Sequence, residues 1–569
     1  MDRFHAAYRA LLLLRFLLAL APGYLHPDEY FQSFEPAASL VLGIRTQPAW
    51  EWSPATASSR PIRSWLVPVL SCALPMRLVA ALSRMFGPDL PSIDGAAVLW
   101  ATRLWMCTLS LLQDACLVGV CRANARPVRP ALLTFASCWP TLVLSSRPFS
   151  NTLESLALAL ALLVATRAPP DARADRGTLL LGVLLAAGCM CRFTFVLFWL
   201  PLLGLRPGRR AATATAAATA AAAARAAAAR LARLLLGALP TAAALLLLDC
   251  WLYGGECRGA PWRCIAPLNA LLYNIDPTNL QRHGLHPRAS HLLLHLPLLL
   301  GPAALLPAAE AVARAARLVA PRGGGGGGGG PASPAAAVGT TAARRGAVLR
   351  ALLLLPLAAL SCAPHQEARF LLPLLLPAAA LYGAPLGRRR ALVALHLAFH
   401  LAAAAFFGSV HQAGLARLLP HAGRMPAART TFFAHTYMPP GALLGRPRAP
   451  HRIADLSEAP LPQVAAALLA ASRRASDAPP QLALPAALRP ALEVELGRLG
   501  RCGGWRAALP WRRRRRLQLV RLRSFWPHFS AELLGELLRM DEARAHVAAA
   551  LTLDLLELRC AAAGVRSTM

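Results

Sequence analysis

Lysine is absent from the 569 residues: all 60 basic side chains are arginine, and only 27 acidic residues oppose them, for a net charge of +33. A charge of that size suggests a nucleic-acid partner, because basic domains bind phosphate backbones. The missing lysine, beside heavy use of Ala, Pro, Gly and Arg, points instead to drift in base composition. Arginines scattered between apolar runs also match cytoplasmic-loop charge and snorkelling side chains, so no nucleic-acid role is assigned. No Asn-x-Ser/Thr sequon occurs, and lumenal exposure leaves no glycosylation signal to read. The 13 cysteines show no zinc or disulfide framework. Cys189 and Cys191 lie in an apolar stretch and read as small packing groups. Cys257 and Cys264 flank a polar loop and are able to bridge if it faces an oxidising lumen. Internal repeats between the two halves are also missing, which argues against a transporter.

Charged residues of both signs make up only 15% of the chain, against 56% hydrophobic residues and a mean hydropathy of +0.45. That excludes an ordinary soluble enzyme. A spanning helix needs about 20 mainly apolar residues. Stretches of that kind occur near 64–83, 96–121, 129–146, 152–168, 177–206, 231–253, 289–309, 347–363, 368–386 and 390–408. A shorter first segment, 6–22, is interrupted by Arg9 and Arg15. The expectation is a polytopic α-helical membrane protein of about nine to eleven spans. Cleavage after Ala19-Leu20-Ala21 would leave the following loop at a free terminus, so a retained first helix is the better reading.

Residues 1–408 form the membrane half, with a first loop at about 23–62. Two low-complexity insertions, 207–230 (Ala/Thr/Arg) and 310–346 (with the run Gly323 to Gly330), interrupt it and are assigned to the cytosol by their arginines. Residues 409–535 read as a modest separate domain, with candidate strands at Thr430-Thr431-Phe432-Phe433 and Leu517-Gln518-Leu519-Val520. Arg512 to Arg516 read as a solvated face, with a lipid-headgroup patch as the alternative. The tail, 536–569, alternates Leu and Ala with charge and suggests helix.

Two adjacent carboxylates, Asp28 and Glu29, follow the first apolar segment in the run Gly23-Tyr24-Leu25-His26-Pro27-Asp28-Glu29-Tyr30-Phe31-Gln32-Ser33. Carboxylates at the mouth of a span are costly to desolvate and call for a use. Glycosyl transfer onto a hydroxyl needs a general base and stabilisation of positive charge at the anomeric carbon, both within reach of a carboxylate. Pro27 keeps the stretch out of a regular helix, and Tyr30, Phe31 and Glu35 suit a short interfacial helix after it. On residue chemistry alone, a helix cap explains Asp28 or Glu29 equally well.

This run resembles the His-Pro-Asp-Glu loop of the lipid-linked mannosyltransferases of the endoplasmic reticulum, glycosyltransferase family 22 of the GT-C superfamily. Arg147-Pro148-Phe149-Ser150-Asn151-Thr152-Leu153-Glu154 is similar to the family's Ser-Asn-Thr-x-Glu segment, and His365-Gln366-Glu367-Ala368-Arg369-Phe370-Leu371-Leu372-Pro373 to its His-x-Glu-x-Arg-Phe-Leu-x-Pro segment. Tyr273 to Leu280, His283-Gly284-Leu285-His286-Pro287-Arg288, His435 to Pro440 and Phe525 to Ser530 resemble the branch that adds a fourth mannose to GPI precursors. The likeness spans about residues 20–530 outside the two insertions. Phe34 departs from it, standing where the family run has proline, and 455–520 is poorly recognisable.

The resemblance implies a GT-C membrane fold with a smaller mixed lumenal C-terminal domain. It implies inverting transfer from dolichyl phosphate mannose to a GPI-precursor glycolipid in the endoplasmic reticulum membrane, forming an α-1,2-linked fourth mannose. Asp28 is then cast as the base, with Glu29 as its rival or an orienting partner. His26, His365, Arg369, Arg147 and Arg63 are the candidates for the donor phosphate and substrate. For Arg369 the competing reading is a pair with Glu367. Asn279, His283, His286 and Arg288 form a candidate acceptor loop. The His-x-x-His spacing of His283 and His286 lacks a third ligand, so no metal and no cofactor are expected. A sister enzyme acting on the third GPI mannose or on the N-glycan precursor, a transporter, and a non-catalytic lipid-binding scaffold are the alternatives.

Overall fold

A computed structural model describes residues 2–47, 49–52, 60–86, 93–167, 172–205, 216–319, 334–425, 429–445, 451–474, 479–499, 515–530 and 548–562. The Gly323 to Gly330 run and Arg512 to Arg514 lie outside them. By packing, the chain resolves into two units: residues 1–19, 48–71 and 104–404, and residues 20–47, 72–103 and 405–569.

Among the described residues six helices are long and apolar enough to cross a membrane: Leu66–Met85, Gly95–Ala123, Ala224–Tyr253, His291–Ala313, Ala368–Gly387 and Arg390–Val410. A seventh arises if Trp139–Ser146 and Ser150–Arg167, bent by 113°, count as one span. This is fewer than the nine to eleven expected, and the reason is local. Two apolar stretches, 129–146 and 152–168, collapse into that bent pair at Arg147-Pro148-Phe149. The stretch 177–206 breaks at Arg192, leaving Ala172–Cys191 and the short Phe195–Trp199. Apolar length fixes an upper bound on spans, and backbone breaks at charge and proline lower it.

In the larger unit, Arg15, which shortens the first segment, is fully buried and bidentate to Asp114 at 3.2 Å, while Tyr8 donates to the same carboxylate at 2.5 Å. The charge is tolerated because it is paired. Helices Ala172–Cys191 and Ala216–Tyr253 pack side by side, with Gly182 against the Leu234 carbonyl and Gly237 against that of Leu179. Small residues at such crossings let backbones approach. Cys257 and Cys264 form a disulfide, Cα to Cα 5.7 Å, the pairing their position beside a polar loop allowed.

In the other unit a five-stranded mixed sheet runs in the order β2-β1-β3-β5-β4. Its strands are β1 (Arg429–Ala434), β2 (His451–Leu456), β3 (Gln481–Pro485), β4 (Arg515–Phe525) and β5 (Leu553–Ala562). β1 is parallel to β2 and β3, and β5 is antiparallel to β3 and β4. Helices Leu461–Arg474 and Arg489–Leu499 cover it through Val464, Leu468, Leu492 and Leu496, against Leu482, Leu484, Leu519 and Leu556. Both candidate strands fall within β1 and β4. Within the tail expected as helix, 536–569, the segment Leu553–Ala562 is instead β5, and residues 536–547 and 563–569 lie outside the described ones. The β5 leucines at 553, 555, 556 and 558 are all buried: Leu556 and Leu558 lie in the core under the covering helices, while β3 and β4 satisfy the strand's main chain on both edges.

Candidate functional site

The His-Pro-Asp-Glu loop is held at its start by main-chain bonds. Gly23 N–H donates to the Gly408 carbonyl at 2.7 Å, Tyr24 N–H to that of His411 at 2.9 Å, and the His411 ring donates back to Tyr24 O at 2.7 Å. The Tyr24 hydroxyl donates to Met438 O at 2.9 Å. After a turn closed by Glu29 N–H to His26 O at 3.1 Å, the chain enters one wide π-helical turn, Tyr30–Phe34, and then the helix Glu35–Leu42. Pro36 lacks an N–H and its ring would press on the carbonyl four residues back, so a wider turn just before it relieves that clash.

The two carboxylates have different surroundings. Glu29 is fully buried, and its Oε1 accepts from Arg103 Nε at 2.8 Å and Nη2 at 2.6 Å. Arg103 also donates to Ala21 O at 2.8 Å and Gly23 O at 3.0 Å, so one guanidinium ties Glu29 to the strand of chain that leads into the motif. Glu29 starts the helical turn without a side-chain capping bond, which removes the cap reading for it. Asp28 remains 21% exposed, with Oδ1 3.5 Å from His26 Nδ1 and Oδ2 accepting from Gln32 Nε2. His26 Nδ1 in turn accepts Asp28 N–H at 3.1 Å. Glu35 is also buried. Its Oε1 accepts Ala442 N–H at 2.8 Å, and burial pushes its carboxyl up to about 8 despite that bond.

The remaining candidates lie in the larger unit, where His365, Arg369 and the 279–288 loop form one connected polar region. Glu367 holds two of them, His365 Nε2 at 2.9 Å and Arg369 through both Nε and Nη2, the latter at 2.9 Å. The pair reading for Arg369 is therefore what the geometry shows. Arg369 also lies 5.7 Å over the rings of Phe149 and Phe370. Burial lowers the His365 imidazolium, but the hydrogen bond and charge of Glu367 more than offset it, and the net direction is up. The 279–288 loop packs directly on this segment. His286 N–H donates to Pro364 O at 2.9 Å, Gln366 N–H to His286 Nδ1 at 3.3 Å, and Gln366 Nε2 to Arg288 O at 3.2 Å, while His365 Nδ1 meets Gly284 O at 3.1 Å. His283 Nε2 meets the Tyr273 hydroxyl at 2.9 Å, and Asn279 donates to Tyr273 O at 3.3 Å. Arg63 pairs with Glu51 at 2.6 Å, and Arg147 is fully buried at the break before Phe149.

Sequence reasoning gave no role to Arg103, Arg192 or Glu154. Arg192 lies 4.9 Å over Phe370 and 3.4 Å from Glu154, which also accepts from Thr194 Oγ1 at 2.8 Å. The signal for both arginines was available: each is a charge inside an apolar stretch, where an ionisable residue needs a partner.

For metals, one cluster of histidine, cysteine or carboxylate ligands stands out among the described residues: Cys138, His396 and His400, with ligand atoms within 4.8 Å of one another. His400 already accepts Trp139 N–H at 3.1 Å and donates to Leu300 O at 3.2 Å, and Cys138 donates to Thr134 O at 3.1 Å. Those bonds would have to be given up to bind an ion.

The sequence profile of the Alg9-like mannosyltransferase family matches residues 6–439. The chain is 33% identical to human GPI alpha-1,2-mannosyltransferase 4, over 78% of its own length and 77% of that protein. It is 30% identical to GPI mannosyltransferase 4 of Eremothecium gossypii, over 75% of each. Among solved structures it is similar to ArnT from Cupriavidus metallidurans bound to undecaprenyl phosphate, at TM-score 0.48 and 11% identity, covering 85% of this chain and 93% of that one.

Proposed function

The chain belongs to the Alg9-like mannosyltransferase family, and from that premise we propose that it adds a fourth, α-1,2-linked mannose to a GPI precursor, with dolichyl phosphate mannose as donor. In this reading it works in the endoplasmic reticulum membrane with its site facing the lumen. The acceptor hydroxyl oxygen attacks the anomeric carbon, the bond from that carbon to phosphate breaks, and dolichyl phosphate leaves with the electron pair. The hydroxyl proton passes to Asp28. A single displacement on a β-linked donor yields the α product.

One observation carries the assignment of the base. Asp28 is partly exposed, whereas the adjacent Glu29 is enclosed and ion-paired with Arg103. A base must reach the proton it removes, and a carboxylate already satisfied by a buried guanidinium does not. Glu29 is then a positioning residue that holds the loop. The leaving phosphate requires fixed cations rather than an acid. Arg369 and the His365 imidazolium are suited to it, exchanging part of their bonding to Glu367 for phosphate oxygens. The proposed chemistry draws on no metal, so a chelator should leave the rate unchanged. Loss of activity in chelator, restored by one divalent ion, would overturn that part.

The test is expression in cells lacking the fourth-mannose activity, followed by mass analysis of GPI precursors. Wild type should add one hexose and Asp28→Asn none. Full activity in Asp28→Asn with none in Glu29→Gln would move the base by one residue. Activity in both would sink the catalytic reading of the motif.

A further inference from the structure

A three-ring aromatic shelf lies beside the loop described above, and the mechanism makes no use of it. Trp50 packs against Tyr273 with ring centroids 4.7 Å apart and planes tilted by 33°, and against His283 at 5.8 Å and 28°. The Tyr273 hydroxyl to His283 Nε2 contact at 2.9 Å locks the second and third rings together.

The shelf is anchored from behind. Trp50–Trp52 is a single 3-10 turn in which the residues after Trp50 point inward. Glu51 pairs with Arg63 at 2.6 Å, and Trp52 is buried 4.9 Å from Trp65 and 6.1 Å from Tyr253. Trp50 is left 49% exposed on that turn, and His283 is exposed beside it. A lone exposed tryptophan is ordinary. Here the Trp50 ring leans within about 33° of both neighbours, Tyr273 and His283 meet edge-on at 60°, and a hydrogen bond with a partly buried ion pair fixes the group, which makes it a built surface.

Its rim selects what it takes. Asn279 and Asp276 sit on the short turn that follows Tyr273, with Asp276 oriented by Thr278 N–H at 2.9 Å and Thr278 Oγ1 at 2.7 Å. An acyl chain gains nothing from an amide and a carboxylate. A pyranose offers both chemistries at once: a face of polarised C–H bonds for the negative face of an aromatic ring, and an edge of hydroxyls for amide and carboxylate groups.

We propose that Trp50, Tyr273 and His283 form a saccharide subsite that stacks a mannose ring of the acceptor glycan. The subsite deepens the mannosyltransferase reading and rests on it for the identity of the sugar.

The experiment is saturation-transfer NMR of free α-linked mannotriose against the full-length protein in nanodiscs, which reads binding without turnover. Wild type should bind, Trp50→Ala should bind about three- to tenfold more weakly, the range expected for an aromatic contact, and Trp50→Phe should retain most of the signal. Trp526→Ala, a change at another exposed indole, should behave as wild type. In the transfer assay the same Trp50→Ala change should raise the acceptor KM by that factor and leave the donor KM and kcat in place. Equal binding by wild type and Trp50→Ala, or none by wild type, overturns the subsite and returns the rings to a membrane-interface belt. Binding that behaves as expected in an enzyme that transfers no mannose would instead overturn the function proposed above while leaving the subsite standing.

Discussion

At the scale of single residues, the site is organised by which charges are enclosed. Glu29 and Arg103 form a pair with both side chains at 0% exposure, so removing either partner leaves a buried charge without its counter-ion. Such losses cost about 3–5 kcal/mol. Glu29→Gln and Arg103→Met should each lower the thermal midpoint of the purified protein markedly, and the double change Glu29→Met with Arg103→Met should recover much of the loss. A double mutant no better than the singles would show that the pair is not the cause. Asp28→Asn, by contrast, should leave the midpoint close to wild type. Glu35 supplies a pH dependence. Burial raises its carboxyl from its ordinary value of about 4.5 to about 8 in the folded state, so the folded protein binds the extra proton between those values. Its contribution to stability is fully present below about 4.5 and is lost as pH rises toward 8. Glu35→Gln should therefore gain stability relative to wild type as pH is raised from 5 to 8.5, read as the difference in thermal midpoints. A constant difference across that range would refute the shift. None of these distinctions was legible in the run Asp28-Glu29, because two adjacent carboxylates look alike until their neighbours are known.

Elements place the proposed base, Asp28, through close backbone approach. Gly23 leads into the motif, and a Cβ there would collide with the carbonyls of Phe407 and Gly408, where its N–H is also bonded at 2.7 Å. Gly23→Ala should push the loop away from its anchor while leaving Asp28 intact. A displacement of about 1 Å at a reacting group costs on the order of 100-fold in rate, so transfer should fall by about that much while the protein still accumulates. Wild-type activity in this variant would show that the loop tolerates the shift. The helices were legible from apolar length, but their breaks were not. Arg192 ends one helix and Arg147-Pro148-Phe149 bends another pair by 113°, and a hydropathy window averages over both. The strands β1 and β4 were readable from their β-branched and aromatic or alternating residues. β5 was misread because Leu553 to Ala562 carries the Leu, Ala and charge mixture that also suits a helix, and its partners β3 and β4 decide the matter.

Over the whole molecule, the chain contributes to each unit from segments far apart in sequence, and the sheet closes only when its last strand arrives. β5 is the shared partner of β3 and β4, with buried Leu553, Leu555, Leu556 and Leu558. Truncation after Thr552 should leave both neighbours with open edges and uncover the core of the sheet. The truncated protein should be cut within 429–530 by protease concentrations that spare the full-length chain, and equal resistance would refute the role given to β5. Sequence by itself determined the membrane class, the family likeness and the few loops worth testing, because those follow from composition, apolar length and short local order. Tertiary structure alone decided which of two neighbouring carboxylates remains accessible. The arginine that encloses Glu29 comes from 74 residues away, and burial belongs to the packed chain rather than to any stretch of it.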